Sequence, residues 1–290
     1  MAAGLPGLWG CDFTSAPSRR KPIVLAQGRW EARGSAALLV LDGLHRLESL
    51  DAWADWLRAP GHWVGGFDLP LGLPRELVQA LGWPIEWLAC MRHYASLQRA
   101  EIRERFAAFC RSRPVGSKFA HRATDGPAGS SPSMKWVNPP VAFMLHAGVA
   151  RLIDAGVSLP GLHPGDPCRV ALEAYPGLVA REVLGSRSYK SDDRSRQTPD
   201  RLLARKDLLH ALETGQAAPL HAIGARLRVS PAGREALIED AQGDAIDAVL
   251  CLVQAAWGWR QHACGHPRYG LPACDPLEGW IVGAGGWAAA

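Results

Sequence analysis

The chain has 290 residues, 48% of them hydrophobic, and a formal charge of +4. That composition supplies a sizeable core and excludes a disordered chain, while the mild positive balance permits an anionic partner without demanding one. Seven cysteines, an odd number with no CxxC pair, exclude a small disulfide framework and fit reduced thiols in a cytoplasmic protein.

The N-terminus, MAAGLPGLWG, lacks a basic segment followed by an apolar one, which argues against a secretory signal. Leu5 to Phe13 reads as a first strand ending in Asp12, and Ser15 to Lys21 (SAPSRRK) as a turn-rich basic connection. Pro22 to Trp30 and Gly34 to Leu44 are rich in Val, Leu and Ile and predict two more strands across a polar turn. Leu50, Trp53, Ala54 and Leu57 fall at helical spacing and predict a helix over 47–57. His62 to Asp68 (HWVGGFD) is a fourth strand, stopped by Pro70. A mostly helical insertion follows over about 74–165, with a short helix over 74–81, a long one over 84–111 and another over 141–155. Within it, residues 112–138 form a polar stretch too long for an ordinary connector, as expected of a lid or binding loop. Arg169 to Ala174 predicts a fifth strand, 177–184 and 199–212 two helices, and Leu277 to Val282 (LEGWIV) a last edge strand before a frayed tail over 283–290. Strands able to form hairpins, followed by strands alternating with helices, predict one α/β domain over 1–290 built on a mixed sheet flanked by helices.

The segment from Asp244 to Trp257 predicts a helix that is apolar almost all the way round, and therefore buried. It is the one long apolar segment of the chain, and its acids argue against a membrane span. Asp244 and Asp247 lie one turn apart on one side of it. Two buried carboxylates on one face call for a cation; the plainer reading makes Asp244 a cap and Asp247 a first-turn acid favoured by the helix dipole. Three strands also end in acids set among apolar residues: Asp12, Asp68 and Glu173. Acids at the ends of covered strands usually face a crevice. Each has an ordinary alternative, since Asp12 and Asp68 suit turns; Glu173, neither a turn nor a strand former, has the weakest one. Carboxylate clusters select hard divalent cations, Mg²⁺ or Mn²⁺, over zinc.

Basic residues supply a grip on phosphate: Lys118, His121 and Arg122 in the long polar loop, and Arg187, Lys190, Arg194 and Arg196 in the later one, where Tyr189 is placed to stack on a base or sugar. Interleaved acids (Asp192, Asp193, Asp200) make a solvated mixed-charge surface the competing reading. His262, Cys264, His266 and Cys274 offer zinc ligands, but HxCxH is not a usual finger spacing and solvated loop histidines explain it as well. The twelve tryptophans fall mostly at core spacing, with base stacking a second reading for Trp136 beside Lys135.

The segments GCDFTSAP, GFDLPLGLP, LEAYPGLVAR, SYKSDD, GDAIDAVLCLVQAAW and LEGWIV, spread from Gly10 to Val282, resemble the domain-of-unknown-function family 429. That family is regarded as predicted nucleases of the RNase H-like superfamily, akin in fold to Holliday-junction resolvases. The resemblance implies a five-stranded mixed sheet, its second strand antiparallel to the rest, with a central carboxylate cluster. It matches Asp12 to the first-strand acid, Asp68 to the fourth, Glu173 to the Glu before Tyr-Pro, Asp244 or Asp247 to the final-helix acid, and Glu278 to a further position. Both lines together lead to a nuclease in which Asp12, Asp68, Asp244 and Asp247 hold two Mg²⁺ or Mn²⁺ ions about 3.5–4 Å apart. Water attacks phosphorus in line, the 3′ oxygen leaves, and Glu173 is an outer ligand or orients the water. The partner is DNA or RNA, and resolvase-like relatives often act as homodimers, although no residue here marks an interface. Two other readings compete: a non-catalytic binding protein on the same fold, and an actin-like or sugar-kinase-like ATPase. The turn Thr14-Ser15-Ala16-Pro17 lacks the glycines such an ATPase wants after its first strand.

Overall fold

The computed structural model describes residues 4–33 and 36–289. Its centre is a seven-stranded mixed sheet flanked by helices. The strands are β1 (Gly7–Asp12), β2 (Ile23–Arg33), β3 (Ala36–Leu47), β4 (Trp63–Phe67), β5 (Val157–Ser158), β6 (Asp166–Glu173) and β7 (Ala225–Arg228), in spatial order β5-β6-β4-β1-β2-β3-β7. β2 runs antiparallel to both neighbours, and every other pairing is parallel.

Two strands exceed the five expected. β7 alternates Ala225 and Leu227 inward with Arg226 outward, and its four residues are too few for a periodic signal. It pairs with β3 and covers an edge that would otherwise present free backbone groups. β5 is a two-residue pairing at the other edge. The expected edge strand over 277–282 does not form. Gly279 turns the chain at φ +71°, the Asp275 carboxylate accepts from Leu277 N at 2.9 Å, and only Val282 N reaches β6, at the carbonyl of Glu173 (2.9 Å). Nor is the tail frayed through Ala288. Its Ala288 carbonyl accepts from Trp257 Nε1 (3.1 Å) and Gln261 Nε2 (2.8 Å), and Trp287 packs edge-on against Trp257.

The helices divide between the two faces. One face carries α1 (Leu50–Arg58), α2 (Arg75–Ala80), α3 (Trp87–Ser96), α4 (Arg99–Arg111) and α6 (Val141–Asp154) around a core that includes Trp53, Trp63, Trp83, Trp87 and Phe67. The helix expected over 84–111 is two helices. Leu97 adopts an extended conformation, and the Glu101 carboxylate accepts from Gln98 N at 2.7 Å, so a Q-x-x-E cap starts a new helix. The other face carries α7 (Pro176–Leu184), α8 (Pro199–Glu213), α9 (Ala218–Ala222), α10 (Pro231–Glu239) and α11 (Asp244–Ala263). The long polar loop is ordered around the short α5 (Asp125–Ala128), with Ala120, Ala128 and Met134 buried. Among the described residues no helix is long and apolar enough to cross a membrane.

α11 lies directly on the middle of the sheet, with 17 of its 20 residues buried. Gly10 and Gly66 make this possible. A Cβ on Gly10 would stand 2.0 Å from the Ala248 carbonyl oxygen, and one on Gly66 2.3 Å from that of Cys251. Backbone therefore rests on backbone, which fixes the helix's first turn beside the ends of β1 and β4.

Candidate active site at the ends of β1 and β4

β1 and β4 pair in parallel with Cys11 opposite Phe67, so Asp12 and Asp68 are next in register, and Asp68 N donates to the Cys11 carbonyl at 2.9 Å. Side chains alternate along each strand. Leu8 and Val64 face the α11 side, Cys11 and Phe67 the other, which turns Asp12 and Asp68 toward the α11 side. The first turn of α11 brings Asp244 and Asp247 to the same place, both buried. Four acids distant in sequence thus form one cluster.

Two lysines enter it. Lys21 Nζ donates to Asp244 at 2.6 Å and to Asp192 at 2.9 Å. Lys190 Nζ and the Tyr189 hydroxyl donate to the two oxygens of Asp247. Asp12 and Asp68 accept no hydrogen bond and join no ion pair among the described residues. Desolvation, then repulsion from Asp247, Asp68 and Asp244, raises Asp12 well above the usual carboxylate range. Desolvation and Asp247 push Asp68 up to about 7, against the pull of Lys190. Asp244 is also raised by burial, with Lys21 opposing. The phenol of Tyr189 is raised by burial and then by Asp247.

Glu173 sits apart from this cluster. On β6, Val170 and Leu172 face α11, whereas Ala171 faces the opposite core, and Glu173 follows Ala171. Its carboxylate is filled: Oε1 accepts from Arg122 Nη2 (2.7 Å), and Oε2 from Arg122 Nη1 (2.9 Å) and Leu71 N (2.9 Å). Arg122 is 3% exposed and also donates to Asp125 Oδ1 (3.0 and 3.1 Å) and the Glu278 carbonyl (3.0 Å). With its guanidinium consumed, Arg122 is a tie between loop and sheet, which corrects its expected role as a phosphate grip. Glu173 is correspondingly a structural partner, held by Arg122 and Leu71, whose field reaches Asp68. Removing Arg122 strands two buried acids, so Arg122→Met is expected to lose about 3–5 kcal/mol by chemical denaturation. Loss of under 1 kcal/mol would contradict this account.

The other expected residues scatter. Tyr189 is buried against Asp247 and has no face free to stack. Lys190 is half-exposed and belongs to the cluster itself. Lys118 is exposed near the end of α4 and touches none of the four acids. Arg187 pairs with Asp207 (2.7 Å) and Arg196 with Asp193 (3.6 Å). Arg194 lines an open cleft of about 770 Å³ beside the cluster, with Arg20 and Asp192. Trp136 packs edge-on against Phe119. Glu278 accepts from Arg75 N and Ala123 N, each at 2.8 Å, so it caps the start of α2. His262 stacks on Tyr269, and the Cys264 and Cys274 sulfurs face Arg260 and Arg268.

Lys21 and Tyr175 are the residues the sequence reading passed over. SAPSRRK read as a connection, although a lysine nine residues after a strand-end aspartate is a signal in hindsight. Among the described residues no three His, Cys, Asp or Glu side chains stand as a ready metal site. Lys21 and Lys190 hold two of the acids in its place. A scan of family models, a search of curated proteins and a search of solved structures each returned no match.

Proposed function

We propose that the protein is an RNase H-like, metal-dependent nuclease hydrolysing phosphodiester bonds, as the segments resembling family 429 imply. One observation carries the reading: Asp12 and Asp68, adjacent in register and half-buried, have no internal partner and repel each other and the α11 acids. Such an arrangement is costly unless a cation completes it. The mixed pairing, with β2 antiparallel to both neighbours, agrees with what the resemblance implies and supports the same reading.

The donor set suits Mg²⁺ or Mn²⁺, being all carboxylate oxygen. Asp12 and Asp68 would hold the ion, and Asp247, already engaged by Lys190 and Tyr189, would add its charge from the helix start. Four carboxylates against two ammonium groups leave two negative charges, which one divalent cation balances. A second ion requires Lys190 to withdraw from Asp247. The bound cation supplies polarisation of a phosphoryl oxygen and of the attacking water. The chain supplies the rest. Asp247 fixes Lys190 beside the reacting phosphate, where its ammonium offsets developing charge. Tyr189 holds Asp247 in one rotamer. Arg20 and Arg194 line the adjoining cleft among three acids, Asp192, Glu239 and Asp240.

Because Asp68 titrates near pH 7 in the folded protein, an arriving cation must displace a proton. Calorimetry with Mn²⁺ should show proton release that differs between buffers, and affinity rising at least roughly tenfold per pH unit below pH 7, since Asp12 is raised as well. Cleavage of single-stranded, duplex, hybrid or branched nucleic acid should need the same ion. A folded protein that neither binds Mn²⁺ at millimolar concentration nor cuts any of these substrates would overturn the proposal.

A further inference from the structure

A cavity of about 240 Å³ opens beside Asp68 and Lys190, separate from the cleft that holds Arg20 and Arg194. Its walls are apolar: Pro70 after β4, Val141 and Met144 on α6, and Ile281 of the C-terminal segment. Ser131 and Tyr175 line it as polar groups. Neither hydroxyl makes a hydrogen bond within the protein among the described residues. The Tyr175 ring is held by the Arg181 guanidinium, 5.9 Å from its centroid, and Gly177 leaves space against the phenol, since a Cβ there would stand 2.7 Å from the Tyr175 hydroxyl oxygen. Arg122 and Glu173 close the floor, spent on each other. Ser130 and Ser131 come from residues 112–138, the stretch whose length marked it as a lid or binding loop.

We propose that this cavity receives the base of one unpaired nucleotide whose phosphate lies at Asp12 and Asp68, which makes single-stranded or frayed nucleic acid the substrate class. The inference rests on the nuclease reading for the position of the phosphate. A partly open slot with apolar walls and two hydroxyls free of internal partners suits a planar heteroaromatic ring with polar edges. Asp68 and Lys190 line the slot, so a nucleotide bound there has its phosphate within reach of the cluster. A base still paired in a duplex cannot enter without leaving its stack.

The test is calorimetric titration of the full chain, with Mn²⁺, by nucleoside monophosphates, ribose 5-phosphate and inorganic phosphate. Base-bearing ligands should bind at least roughly tenfold more tightly than ribose 5-phosphate. Ser131→Phe and Met144→Trp, which fill the cavity from the loop and from α6, should each erase that advantage and leave inorganic phosphate binding unchanged. The loop variant guards against a folding defect of the helix variant. Equal binding of nucleotide and ribose phosphate, or an advantage that survives Ser131→Phe in folded protein, would overturn the assignment. A parallel cleavage assay separates the two readings. Base-dependent binding without cleavage of any strand removes the nuclease and keeps the pocket. Equal cutting of duplex and single strand, unaffected by Ser131→Phe, removes the pocket and keeps the nuclease.

Discussion

Asp68→Asn is expected to melt at a higher temperature than the wild-type chain at pH 8 in chelator, and to cleave roughly a thousandfold more slowly in Mn²⁺, the scale of a lost electrostatic stabiliser. The stability half follows from linkage. In the folded protein Asp68 titrates near 7, from an ordinary value of 3.8. Between about pH 4 and pH 7 the folded state therefore keeps a proton that the unfolded chain has lost. Stability falls as pH rises through that window, and above it the penalty is complete. A shift of this size corresponds to at most about 4 kcal/mol, and solvent at the half-buried carboxylate reduces the expectation to about 2 kcal/mol. Asparagine carries no charge to bury and also relieves Asp12. The gain should shrink toward pH 4 and vanish below about pH 3, where wild type holds the proton in both states. Saturating Mn²⁺ should reverse the order, because only the wild type gains binding energy from the ion. A variant that is less stable at pH 8 in chelator would show that Asp68 is an ordinary structural acid.

The acids and the central helix were legible in the sequence because their signals are local. Asp12, Asp68 and Glu173 end apolar strands, and Asp244 and Asp247 break an otherwise apolar helix. What the sequence does not carry is the face on which each acid lands. Asp68 and Glu173 both read as strand-end carboxylates, yet one register step and the alternation of β6 send Glu173 to the opposite core and into the guanidinium of Arg122. Arg122 looked like a surface cation because its loop is polar; its partners, Glu173 and Glu278, lie 51 and 156 residues away. Tyr189 and Lys190 looked like a substrate grip and turned inward for the same reason: Asp247 lies 58 and 57 residues further on. Edge strands such as β7 are too short for periodicity to reveal, and the break at Leu97 shows only in a Q-x-x-E cap inside a helical run.

The close seat of α11 ties stability to the site, and Gly10→Ala measures it. The added methyl would lie 2.0 Å from the Ala248 carbonyl oxygen, 2.2 Å from Leu252 N and 2.8 Å from Leu252 Cα. All three are backbone atoms of a buried helix, so no rotamer change relieves the clash, and α11 must move off the sheet. Overpacking commonly costs about 1–3 kcal/mol, and a clash with backbone alone belongs at or above the top of that range. Gly43→Ala is the matched control, a strand glycine whose Cβ would meet nothing nearer than the His45 ring at 3.7 Å. It should change stability by under about 0.5 kcal/mol. The two strands that carry glycine under α11 also carry Asp12 and Asp68 two residues later, and the helix they seat carries Asp244 and Asp247. Lifting the helix separates the acids, so in whatever fraction of Gly10→Ala remains folded, Mn²⁺ should bind at least roughly tenfold more weakly than in Gly43→Ala. Equal denaturation midpoints for the two variants would mean that the helix does not rest on the strand backbone. Unequal midpoints with equal Mn²⁺ affinity would mean that the α11 acids take no part in holding the ion.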